Sequence, residues 1–96
     1  MEKVNEQETG KKVYDFTTVS VEVEFDTFKE IDASKTIGNI IHKGTDDLGI
    51  DEIARTIYKE GKVEMDARQA KIVWAILMNS NLLAGFKRAV NNLFTI

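Results

Sequence analysis

Between Val19 and Phe25 the side chains alternate without exception: Val19, Val21, Val23 and Phe25 are apolar, and Ser20, Glu22 and Glu24 between them are polar. A period of two gathers the apolar set on one face of a β-strand, which no helix can do, so the chain must supply a strand partner and an apolar cover for that face. Asp26-Thr27 reads as a short turn, after which Phe28 is expected opposite Phe25 and Lys29 opposite Glu24 in a two-residue hairpin. Val13–Phe16 reads as a partner strand, and Lys62–Met65, short and following Gly61, as an edge strand.

Downstream the period becomes helical. Asp32 stands where an N-cap would accept a backbone N–H, and Ile37, Ile40 and Ile41 recur at helical spacing before Gly44, which predicts a helix over Ala33–Lys43. Asp46, Asp47, Asp51 and Glu52 crowd the start of a second helix, where the dipole favours anions. Ile50, Ile53, Ala54 and Ile57 form its apolar stripe over Ile50–Glu60, and Gly61 stops it. Asp66 followed by Gln69 matches a capping box, and the apolar stretch Ala70–Met78 behind it is expected to be the buried centre. Asn79-Ser80-Asn81 breaks that helix, and Leu83, Phe86, Val90, Leu93 and Phe94 make the stripe of a fourth. The expected fold is α+β: a small antiparallel sheet, made of the N-terminal hairpin plus the short strand near 62–65, packed against three or four helices.

The 96 residues suffice for one domain and are too few for two. Residues 1–11 read as a flexible acidic leader and 12–96 as a single domain. With no cysteine, the fold must hold by packing alone, as a reducing compartment such as the cytoplasm demands. No signal peptide is visible at the amino terminus. The longest apolar run, Ile72–Met78, is far short of the roughly 20 residues of a membrane span, so a membrane partner is not expected.

The motifs that carry chemistry are mostly missing. Gly44 to Gly49 has the interval of a phosphate loop, but Ile50-Asp51 follows in place of Lys-Ser/Thr. From Asp47 the calcium-loop pattern fails too, because Gly49 falls third and Glu52 sixth where glycine belongs at the sixth position and glutamate at the twelfth. His42 is the single histidine, with no metal-ligand spacing around it, and beside Lys43 it complements a helix carboxyl end. No cofactor, metal or catalytic residue is expected, and the chain reads as a non-enzyme. The glycines read as helix stops, save Gly38 inside the first helix. A glycine there costs about 1 kcal/mol relative to alanine, so either a neighbouring element packs close, the favoured reading, or the helix begins later.

Charge is distributed unevenly. Residues 1–36 hold five basic and nine acidic side chains and residues 37–66 hold four and seven, whereas residues 67–96 hold four basic and no acidic ones. Arg68, Lys71, Lys87 and Arg88 therefore have no acidic neighbour in their own helices. Either they meet the acidic strand face of Glu22 and Glu24 within the domain, or they meet an acidic partner. Nucleic acid is one such partner, although four cations in an acidic chain are a thin footprint. Eighteen of residues 67–96 are apolar, more than one small domain readily buries. Val73, Ile76, Leu77 and Leu83 are expected in the core. Trp74 and Met78 lie off that stripe and, with Phe86 and Phe94, are the candidate interface residues.

The stretches Ile37-Gly38-Asn39-Ile40-Ile41-His42, Asp51-Glu52-Ile53-Ala54-Arg55, Ile57-Tyr58 and Gly61-Lys62-Val63-Glu64 loosely resemble short proteins encoded by phages and integrated mobile elements. That resemblance implies a small assembly or accessory role and brings no activity or site residues with it. The leading expectation is a cytoplasmic interaction module that docks on another protein chain, itself or a different one, through its C-terminal helices. The alternative is a nucleic-acid-associated accessory factor using the four C-terminal cations. A third class, a metal-dependent or hydrolytic enzyme around His42 and the acids of 46–52, has the least in its favour.

Overall fold

The computed structural model describes residues 10–94, so the leader expected over 1–11 falls outside the described residues except for the exposed Gly10 and Lys11. The order of elements is β1 (Lys12–Asp15), β2 (Val19–Glu24), β3 (Thr27–Ile31), α1 (Ser34–Gly44), α2 (Leu48–Glu60), β4 (Lys62–Met65), α3 (Ala67–Met78) and α4 (Ala84–Phe94). This is the α+β architecture that the periods require. The strands divide into two antiparallel pairs: β2 with β3 as the hairpin, and β1 with β4 in the register Lys12↔Met65 to Asp15↔Lys62. The strand at 62–65 thus joins β1 and not the hairpin.

Phe16 ties the two halves together. Its ring is fully buried, its N–H donates to the Gly61 carbonyl at 2.7 Å, and its carbonyl accepts from Ala33 N at 2.8 Å. One residue thereby links the end of β1 to the end of α2 and the start of α1. Around it pack Val19, Ile37, Ile41, Ile57, Met65, Val73, Leu77 and Val90, all fully buried, so every helix contributes to one core.

Local signals place most boundaries. The Asp47 carboxylate accepts from Gly49 N and Ile50 N, starting α2 at Leu48, two residues before the position expected. Gly61 ends α2 at φ 83°, a conformation that suits a residue without Cβ, and its N–H returns to the Ile57 carbonyl. Both halves of the Asp66–Gln69 capping box are formed. Asp32 acts one position earlier than expected: Ala33 is the N-cap, and the Asp32 carboxylate accepts from Ser34 N at 3.0 Å and from the Ser34 hydroxyl. Gly38 does mark a close approach. A Cβ there would stand 2.9 Å from both the Ala54 carbonyl oxygen and Tyr58 Cβ of α2.

Other expectations are corrected. The hairpin turns at Phe25-Asp26, with Glu24 opposite Thr27 and Glu22 opposite Phe28, and the register shifts between Glu22 and Glu24. Asp26 sits at φ 63°, which aspartate tolerates far better than β-branched Thr27 would, so the turn falls one residue earlier. The bulge at Val23 interrupts the alternation: Val19 and Val21 are buried, but Val23 and Phe25 leave the core face. Leu83 precedes α4 and is exposed, while its neighbour Leu82 packs against the core. Gly49 and Gly85 lie in the first turns of helices and stop nothing. α3 is one-sided, burying Ala70, Val73 and Leu77, with Ile76 only half-buried.

Candidate interaction surfaces

The C-terminal helices build an open groove. Trp74 on α3 donates from its indole N–H to the Asn91 side-chain oxygen of α4 at 2.8 Å, which holds the ring across the seam between the helices. At the end of α4, Phe94 stacks on Tyr14 of β1, with ring centroids 4.9 Å apart and planes 26° from parallel. Ala70, Lys71, Trp74, Asn91, Phe94 and Tyr14 line a groove of about 390 Å³. The Lys12 ammonium lies 5.6 Å from the Tyr14 ring centroid, and among the described residues no carboxylate lines the groove. The site is aromatic on its walls and cationic at its edge.

Of the four interface candidates, Trp74 and Phe94 therefore meet at one place. Trp74 keeps 36% of its surface exposed, off the stripe of Ala70, Val73 and Leu77 that α3 buries. Met78 and Phe86 are half-buried against the core and do not line this groove.

The four cations separate as well. Arg88 Nη1 stands 3.3 Å from Glu22 Oε1, so this one discharges against the acidic strand face. Lys71 borders the aromatic groove, Arg68 is exposed in the first turn of α3, and Lys87 is half-buried. No ion pair among the described residues includes these three.

No family model, curated protein or solved structure matches this chain.

A second surface lies on the hairpin, where the alternation of Val19 to Phe25 called for an apolar cover over Val23 and Phe25. Phe25 is 92% exposed at the turn, and Phe28 and Val23 are 62% and 53% exposed beside it. The turn is braced: the Asp26 N–H donates to Glu22 Oε2 at 2.8 Å, while the other oxygen of the same carboxylate faces Arg88. Gly85, in the first turn of α4, sits directly against the Glu22 backbone, so the helix abuts the hairpin with no side chain between them. The available signal was Asp26 itself, because its tolerance of positive φ favours a Phe25-Asp26 turn and so predicts an exposed Phe25.

His42 lies elsewhere. Its Nδ1 is 2.5 Å from Asp51 Oδ1, and Arg55 Nη2 is 3.9 Å from the other Asp51 oxygen. The histidine thus bridges α1 to α2, a partner that its place at a helix end did not reveal. The surrounding groove adds Asn39, Tyr58 and Lys59, and among the described residues no serine, threonine or cysteine lines it. Among the described residues no group of three or more His, Asp or Glu side chains converges as a metal site, and no helix is long and apolar enough to cross a membrane.

Proposed function

We propose that this chain is a small, non-enzymatic protein–protein interaction module that works through its C-terminal helices and its braced hairpin. The observation that carries the reading is Phe25, almost wholly exposed at a turn held by Glu22 and followed by Asp26 at positive φ. Covering a phenylalanine is worth about 1.5–3 kcal/mol, which the isolated chain forgoes and a complex recovers. Aromatic side chains are enriched where proteins meet. The resemblance to short phage and mobile-element proteins, spanning roughly residues 13–94, favours a small assembly or accessory role. The nucleic-acid alternative is the weaker reading, because Arg88, one of its four cations, pairs with Glu22.

The test is a photoreactive benzoylphenylalanine placed at position 25 in cells. A covalent adduct with a protein is the expected result. Irradiation that leaves only the uncrosslinked chain would overturn the reading.

A further inference from the structure

We infer that the occupant of the Trp74 groove is the hairpin tip of a second copy of this chain, giving a head-to-tail contact. The inference rests on the interaction-module reading and names the partner. Three features carry it.

The first is chemical fit. The tip presents an aromatic ring between two carboxylates, Glu24 and Asp26. The groove presents Tyr14, Trp74 and Phe94 with Lys71 at its edge, Lys12 over the Tyr14 ring, and no acid in its lining among the described residues. A ring would enter an aromatic wall while its flanking anions meet cations, which gives register as well as attraction.

The second is placement. Gly85 at the start of α4 lies against Glu22 at the base of the tip, whereas Asn91 and Phe94 at the end of α4 line the groove. Gly85 to Phe94 spans about 13 Å at the α-helical rise, so tip and groove sit at opposite ends of one helix. Phe25 cannot enter its own groove, and a second chain can present one. Leu83, 82% exposed and two residues before Gly85, lies at the hairpin end and adds apolar surface there.

The third is the poor alternative use of the same hairpin. The outer edge of β3 has no strand partner among the described residues, but a two-fold antiparallel pairing of two such edges centred on Lys29 or Glu30 opposes like charges, and centring it on Phe28 sets Asp26 against Glu30. Edge-to-edge pairing is thereby disfavoured and docking of the tip is not.

A contact between two different patches does not close on itself, so assembly should grow with concentration instead of stopping at a dimer. Sedimentation velocity from about ten micromolar to about one millimolar reads this directly. The wild type should sediment progressively faster with concentration. Phe25→Ser, which removes the tip, and Lys71→Glu, which reverses the groove edge, should each weaken self-association at least tenfold while circular dichroism stays unchanged. Mixed in equal amounts, the two variants should form a one-to-one pair that grows no further, because one keeps the groove and the other the tip. A wild type that stays monomeric throughout, a closed dimer indifferent to Lys71→Glu, or a mixture that fails to pair would overturn the inference. A crosslink from position 25 to a different protein, with a monomeric wild type, would sink the second-copy assignment and leave the interaction-module reading standing.

Discussion

Glu22 joins the hairpin to the last helix: one carboxylate oxygen lies 3.3 Å from Arg88 Nη1, and the other accepts the Asp26 N–H at 2.8 Å. A single side chain therefore fixes the turn that displays Phe25 and ties that turn to α4. Part of the charge asymmetry along the sequence is resolved in this contact, since an acid of the first third neutralises a base of the last.

The pair should contribute little to global stability. Arg88 is largely exposed, so a double-mutant cycle of Glu22→Ala and Arg88→Ala is expected to give a coupling below about 1 kcal/mol that shrinks as salt is raised. Glu22→Ala alone should destabilise more than Arg88→Ala, because it also removes the acceptor for the Asp26 N–H. Urea denaturation at low and high ionic strength checks both statements.

Gly38→Ala should destabilise the fold by about 1–3 kcal/mol, although alanine is the better helix former by about 1 kcal/mol. The added methyl would stand 2.9 Å from the Ala54 carbonyl oxygen, which as backbone cannot swing aside. A variant as stable as the wild type in urea would show that α1 and α2 slide apart freely.

The capping box offers a local test. Asp66→Ala should cost about 0.5–2 kcal/mol by leaving the Gln69 N–H without its acceptor. Gln69→Ala should also destabilise, since the Gln69 side-chain oxygen accepts the Asp66 N–H. Chemical denaturation gives the size, and hydrogen exchange should show the change concentrated at the start of α3.

Acid should loosen two turns. The Thr17 hydroxyl, followed by its N–H, holds the Asp15 carboxyl below its ordinary range, and the Ser34 hydroxyl and N–H do the same for Asp32. A folded-state value below the unfolded value of about 3.9 means stability that is present above that pH and is lost as the pH falls through the folded-state value. Asp32→Asn should therefore destabilise at neutral pH, and its deficit against the wild type should narrow below about pH 4. Thermal melts of wild type and variant from neutral to acid pH measure the gap, and a constant difference would refute the assignment.

Much of the architecture was legible because its signals are local. The N-cap oxygen of Asp66 and the left-handed stop at Gly61 act within a few residues, so helix ends follow from short stretches of chain. Gly38 was legible for a related reason: a glycine inside a helix has to be explained, and contact with α2 explains it. The interaction surfaces were legible only in part. Trp74 stood out as a large aromatic off its helix's stripe and Phe94 as an aromatic within its own, but their meeting depends on Tyr14, roughly sixty and eighty residues away.

The type and order of the strands and helices, and their ends to within a residue or two, could be read from short stretches of chain, because hydrophobic period and capping chemistry are written into neighbouring residues. Tertiary packing separated the strands into two pairs, set the bulge of β2 at Val23 and brought Glu22 to Arg88 across 66 positions of chain. Those outcomes turn on which elements can approach closely, as Gly85 approaches the Glu22 backbone. Packing of distant segments is a property of the whole core, and no local pattern encodes it.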